Sequence, residues 1–175
     1  MKKHWMASLV VLLCCCFVAA CDKGAGDGWE EYKYRNDGFA ISAPSIPIPR
    51  TYSGATAAER QNSKAWGIDF GNRTEIQFGV TPASDLGENV PAEEMLQRMK
   101  NMTLQGVPAK LVTERQLSLG DNPGIEFEFQ AERWHSRQRV FIVKDKLLGV
   151  SSTARGSDPL PPATDRMFDS LRLLK

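Results

Sequence analysis

A thiol at position 21 is the side chain of this sequence whose neighbours come closest to spelling out a reaction. Cys21 follows Val18-Ala19-Ala20, which ends an apolar run from Trp5 to Phe17 preceded by Lys2 and Lys3. A basic start, a short apolar run and small residues at the cut describe a secretory signal. A cysteine directly after the cut makes the pattern read as a bacterial lipobox. Cleavage is expected between Ala20 and Cys21, with a thioether-linked lipid and palmitate-type acylation on Cys21. The run falls short of the roughly 20 residues a spanning helix needs, so a retained membrane span is disfavoured. An ordinary secretory signal cut at the same place, leaving a free thiol, is the alternative. Cys14, Cys15 and Cys16 serve as small hydrophobes in the signal core, because Leu13 is too bulky for a cleavage position. Asp22 resembles an inner-membrane retention signal, which gives a slight preference for that membrane. The expected location is the bacterial cell envelope, lipid-anchored and facing the periplasm.

Carboxylates supply the next candidate chemistry. Glu126, Glu128 and Glu132 share even spacing with Gln130, and paired carboxylates can act as general acid and base. They alternate with Ile125, Phe127, Phe129 and Ala131, the pattern of a strand with an apolar core side and a polar outer face. The structural reading is preferred. A two-residue turn at His135-Ser136 would then set Trp134 opposite Arg137 and Glu132 opposite Arg139, with Phe129 near Val140 and Ile142. His135 is the one histidine after the signal and reads as a solvated turn residue rather than a base. By itself it cannot begin a zinc site, which needs three or four ligands. Nucleophilic catalysis has no motif either, neither Gly-x-Ser-x-Gly nor Ser-x-x-Lys. An Asp-x-Asp-x-Asp-Gly calcium loop is also missing from the sequence.

Met95, Met99 and Met102 fall at helical spacing beside Leu96, and soft thioethers suit copper. With no cysteine or histidine among them, an adaptable core face is the preferred reading. Gly24-Ala25-Gly26 follows no strand and is not read as a phosphate loop. Expected catalytic residues, metal ligands and cofactors are therefore none, and the chain is read as not an enzyme. Trp134, Tyr52 and the prolines from Pro44 to Pro49 are the candidate partner surface.

The elements that must carry these residues are mostly short and alternating. Residues 1–20 are assigned to the signal peptide and 21–28 to a glycine-rich tether, Asp-Lys-Gly-Ala-Gly-Asp-Gly after the cysteine, with nothing to bury. Residues 29–175 form one domain, long enough for a sizeable core. Loss of Lys2 and Lys3 leaves 20 basic against 21 acidic side chains, and that balance gives no reason to expect nucleic acid as a partner. With Cys21 the one cysteine past the signal, no internal disulfide is expected. Asn72-Arg73-Thr74 and Asn101-Met102-Thr103 fit the glycosylation sequon, which a bacterial lipoprotein has no reason to use.

Asn36-Asp37-Gly38 is a hairpin signal between residues 31–35 and 39–43. Pro44, Pro47 and Pro49 then stop the ladder and leave an extended loop. Residues 53–63 read as a surface excursion. Trp66, Ile68 and Phe70 alternate, and a Gly71-Asn72 turn leads to Ile76, Phe78 and Val80. The spacing predicts a helix over 90–105, with Pro91 in its first turn, Glu93 and Glu94 at its positive end and Gly106 closing it. A strand over 110–119, a turn over 120–124, and strands over 125–133, 137–143 and 147–153 follow. A short helix over 163–169 and a closing strand over 171–174 complete the chain. Tight turns argue for an antiparallel sheet and two separate helices for α+β layering.

Three stretches together resemble a known family. Tyr34 leads to Gly38-Phe39-Ala40-Ile41 and Pro44, Asn122-Pro123-Gly124-Ile125-Glu126 opens a mid-chain strand, and Phe168, Ser170, Leu171 and Leu173 make a helix-to-strand ending. The region 29–175 resembles bacterial envelope proteins with a PsbP-like (Mog/PsbP/DcrB-type) domain. The resemblance implies an α/β/α sandwich, an antiparallel sheet flanked by helices, used as an accessory or binding module. It carries over no functional residue. The expected function is a non-catalytic interaction or accessory module, held to the bilayer through Cys21 and meeting an envelope protein. A small-ligand-binding lipoprotein assisting an envelope enzyme or transporter is the alternative.

Overall fold

Residues 27–51, 63–86, 90–106 and 108–175 are described in a computed structural model of the chain. The signal segment, Cys21, Asp22, Tyr52 and nearly all of the 53–63 excursion lie outside them. The described elements are β1 (Glu30–Tyr34), β2 (Phe39–Ala43), β3 (Ile48–Arg50), β4 (Lys64–Asp69), β5 (Glu75–Pro82), α1 (Ala92–Gly106), β6 (Ala109–Leu119), β7 (Asn122–Ala131), β8 (Trp134–Val143), β9 (Lys146–Arg155), α2 (Thr164–Ser170) and β10 (Arg172–Leu173). A 3-10 turn, Ala83–Leu86, follows β5.

Seven strands form one antiparallel sheet in the order β3-β4-β5-β9-β8-β7-β6, and β1-β2-β10 form a second. The β1–β2 hairpin closes as its sequence predicts. Asp37 N and Gly38 N both donate to Tyr34 O, and Gly38 takes a φ of 81° that a side chain would resist. Alternation then decides which side of the large sheet each residue occupies. Phe78, Val80, Phe141, Leu148 and Val150 line one face, where Phe39, Ile41, Met167 and Phe168 from the small sheet and α2 cover them. Ile125, Phe127, Phe129, Val140 and Ile142 line the other face beneath Leu96 of α1.

The architecture is α+β but dominated by sheet. Instead of helices flanking both faces as in the expected sandwich, α1 covers part of one face while the small sheet shares the other with α2. Burying those apolar sides drives the arrangement, since apolar surface leaving water stabilises by roughly 25 cal/mol per Å².

Three local expectations need correction. Pro47–Pro49 does not stay a loop, because Ile48–Arg50 pairs with β4 and puts Pro49 opposite Trp66. An edge strand tolerates proline, because one side of it needs no donor. The turn after β6 is Gly120-Asp121 alone, and Asn122 already faces Leu119 while Pro123 faces Ser118. The β7–β8 turn is Glu132-Arg133, not His135-Ser136, because Gln130 pairs with His135 and Phe129 with Ser136. That slip moves each partner six positions, an even number, so every side chain keeps its face.

Candidate functional site

Strand β7 presents Glu126 and Glu128 to the face that α2 covers, and β8 supplies the residues beside them. The register sets Glu126 opposite Arg139, Glu128 opposite Arg137 and Gln130 opposite His135. Glu132 is not part of this group; it lies exposed in the turn. The expected Glu132–Arg139 pairing is replaced by Glu126–Arg139, and the expected polar outer face is roofed over. Glu126 is 7 % exposed and Arg139 8 %.

Three guanidinium groups meet on the Glu126 carboxylate. Arg115 of β6 donates its Nε to Oε1 at 2.8 Å, Arg139 donates its Nε to Oε2 at 2.8 Å, and Arg137 reaches Oε2 at 3.2 Å. Helix α2 returns two carboxylates: Asp165 takes Arg137 at 2.7 Å and Asp169 takes Arg139 at 3.1 Å. Phe168 lies between these two aspartates in sequence, and both Arg137 and Arg139 place their guanidinium carbon 5.2 Å from its ring centre, where a cation is attracted to the ring. Burial alone would push the Glu126 carboxyl up. Hydrogen bonds and charge from Arg139, then Arg137, outweigh it and hold the group below its usual value. For Arg137 burial acts to lower the pKa, and Asp165 and Glu126 together raise it. The geometry keeps Glu126 ionised and fully occupied, which is poor preparation for proton transfer.

His135 sits in β8, half-buried, rather than in a solvated turn. Its Nε2 lies 2.7 Å from Glu128 Oε1 and its Nδ1 3.3 Å from the Asp158 carbonyl oxygen. Among the described residues neither ring nitrogen is bonded to a hydroxyl. Ser136 points to the opposite face and donates to Ser152 O at 3.1 Å. Ser152 Oγ and Thr164 Oγ1 meet at 2.7 Å, fastening the start of α2 to β9.

The methionine face divides. Leu96 is buried at 3 % exposure and Met95 and Met99 pack against the core, whereas Met102 is 62 % exposed and is not core. Lys100 is buried instead and donates to Glu114 at 2.7 Å. Gln97 and Lys100 hold the Glu114 carboxyl below its usual value. Between the start of α1 and the β6–β7 hairpin lies a cavity of about 40 Å³, bordered by Leu96, Gln97, Gln116 and Ile125. It is an order of magnitude smaller than ligand pockets, which run from roughly 300 to 1,000 Å³. Among the described residues no three His, Cys, Asp or Glu side chains converge as metal ligands, and no helix is long and apolar enough to cross a membrane.

Arg115, Asp165, Asp169 and Phe168 belong to the charged group and were missed by sequence reasoning. The even spacing of Arg137 and Arg139 against Glu126 and Glu128 was the available signal. Contacts across α2 had none, because nothing local says which strand a short helix will cover.

Compared with protein-family models, and separately with curated proteins, the sequence matches none. Solved structures do match. The solution structure of cyanobacterial PsbP (CyanoP) from Synechocystis superposes with a TM-score of 0.59 at 16 % identity, over 86 % of this chain and 95 % of that one. A Pseudomonas aeruginosa protein of unknown function aligns more loosely, with a TM-score of 0.42 at 13 % identity over 72 % of this chain and 82 % of its own. The small sheet lying across a seven-stranded antiparallel sheet, with α2 seated beside it, is thus a PsbP-like fold.

Proposed function

We propose that this chain is a bacterial envelope lipoprotein whose domain serves as a non-catalytic interaction or accessory module. The observation that carries the reading is Val18-Ala19-Ala20-Cys21 at the end of a short apolar run with two lysines before it. Support for a non-catalytic role comes from the enclosed ionisable groups. Glu126 is locked by three arginines and His135 is spent on Glu128 and a backbone carbonyl. A domain that folds around such a lattice suits presentation of a surface better than turnover.

Metabolic labelling with a fatty acid analogue, followed by membrane fractionation, tests the anchor. The wild type is expected in the membrane fraction with label, and Cys21→Ser in the soluble fraction without it. One acyl chain anchors only marginally and two or more hold firmly, so quantitative recovery of the wild type as soluble protein overturns the reading.

A further inference from the structure

The exposed apolar side chains of this domain collect at one end. Antiparallel registers fix which residues share an end of the large sheet: the start of β3, the end of β4, the end of β9, the start of β8 and the start of β6 all coincide. Ile46 and Ile48, 75 % and 48 % exposed, stand at the start of β3, and Phe70 at the end of β4. Trp134 opens β8 beside Arg155, and Leu111 and Val112 lie near the start of β6. Met102 is one turn from the end of α1, which leads into β6 at the same end. Among the residues whose side chains are described, these are the large hydrophobics that are exposed. The other end carries the turns at Asp37, Gly120-Asp121 and Lys144-Asp145, with none of them.

The chain enters at that same apolar end. Asp27 pairs with Arg166 near the start of α2, and the Arg166 guanidinium lies 4.1 Å from the Trp29 ring centre. Glu30, next in line, pairs with Ala43, from which Pro44 leads to Ile46 and β3. Only five residues separate Cys21 from Asp27, a reach of at most roughly 20 Å over six chain steps. An anchor at Cys21 therefore holds this end, and not the other, close to a bilayer surface. The exposed charges here are mixed: Arg73, Lys110, Arg133 and Arg155 alongside Asp69, Glu132 and Asp158. That balance fits a headgroup layer better than steering by charge, and exposed Trp with long basic stems is the composition that settles at an interface.

We propose that the end bearing Ile46, Phe70, Trp134 and Val112 is a lipid-contacting surface that rests in the interfacial layer of the membrane. The proposal builds on the lipoprotein reading, and its test is arranged so that the two can fail separately. The chain from Cys21 onward is coupled through that thiol to a maleimide lipid in phosphatidylethanolamine–phosphatidylglycerol vesicles with brominated acyl chains. Coupling by chemistry reads the surface whether or not cells acylate Cys21, and the labelling experiment on Cys21→Ser reads the anchor alone. In a Trp29→Phe, Trp66→Phe background, which leaves Trp134 as the one tryptophan after Cys21, Trp134 is expected to lose most of its emission to the bromolipid, while a lone tryptophan placed at the far end by Asp121→Trp with Trp134→Phe stays bright. Equal quenching at both ends, or a bright Trp134 on vesicle-bound protein, overturns the proposal. So does Trp134 protection by a co-purifying protein, since the occupant would then be protein rather than lipid. Ile46→Asp is expected to weaken Trp134 quenching without changing the thermal midpoint.

Discussion

Arg139 stands directly across the β7–β8 ladder from Glu126 and donates its Nε to that carboxylate at 2.8 Å, with both side chains at most 10 % exposed. Breaking such a buried pair from one side strands the other charge and costs about 3–5 kcal/mol. Glu126→Gln should lower the unfolding free energy measured by urea denaturation by that amount, because Arg115, Arg137 and Arg139 lose a shared counter-charge. Arg139→Gln should also destabilise. The double variant should cost less than the sum, with a coupling energy of about 0.5–3 kcal/mol. Strict additivity would show that the pair contributes nothing of its own.

The same carboxylate sets an acid limit. Its pKa is held low in the folded chain by Arg139 and Arg137 against the effect of burial. A glutamate depressed on folding contributes in full above its unfolded value of roughly 4.3 and loses that contribution as the pH falls through the folded one. The thermal midpoint should therefore drop steeply below about pH 4. In Glu126→Gln the midpoint should start lower and decline less between pH 5 and pH 3, the range spanning roughly that unfolded value.

Helix α1 offers a matched pair of substitutions. Leu96 is 3 % exposed against β7 and β8, and Met102 is 62 % exposed. Leu96→Ala should destabilise by about 2–5 kcal/mol, and Met102→Ala by no more than about 0.5 kcal/mol. Chemical denaturation of the two variants side by side checks the assignment of the helix face.

Glycines in the large sheet differ in the room around them. A Cβ on Gly79 would lie 2.1 Å from the Lys64 carbonyl oxygen, which is backbone and cannot swing aside. On Gly149 the nearest atom is a Val140 methyl at 3.7 Å. Gly79→Ala should cost at least about 1–3 kcal/mol, while Gly149→Ala should be neutral or stabilising by up to about 1 kcal/mol. Equal melting temperatures for the two would contradict the close β4–β5 approach.

Much of the sheet was legible in the chain because burial on one side imposes a period of two. Ile76, Phe78 and Val80 are core as their alternation predicts, and so are Ile125, Phe127 and Phe129. Pairing was harder. Glu132-Arg133 carries no glycine or asparagine to mark a turn, so β7 was carried past its end, β8 looked shorter than it is, and the turn was set three positions too late, which slips the pairing by six. Since an even slip preserves the faces, core composition could not expose the error. Met102 lies within about 20° of Met95 round the helix at 100° per residue, so spacing alone could not separate the packed methionine from the exposed one. Lys100 joins the buried side instead through its bond to Glu114. The roof over Glu126 was invisible for want of any local signature, because α2 spans seven residues and its position depends on contacts made far along the chain.

Strands β1 and β10 lie on either side of β2, so the small sheet takes its two outer members from opposite ends of the described domain. Ser42 N reaches Ser170 Oγ at 2.9 Å across 128 positions of sequence, and Leu174 N reaches Gly38 O at 2.8 Å. During synthesis, then, β2 waits unpaired on one edge until residues 172 and 173 have been made. Contacts of that separation make for slow folding, and until α2 and β10 arrive, Phe39 and Ile41 lack part of their cover. A ribosome stalled before residue 164 would release a chain with an open sheet edge and a bare apolar face, a ready target for proteases and chaperones. The clasp at β2 thus closes only once residues 164–174 are present, which couples the cover of Phe39 and Ile41 to a segment more than 120 positions away.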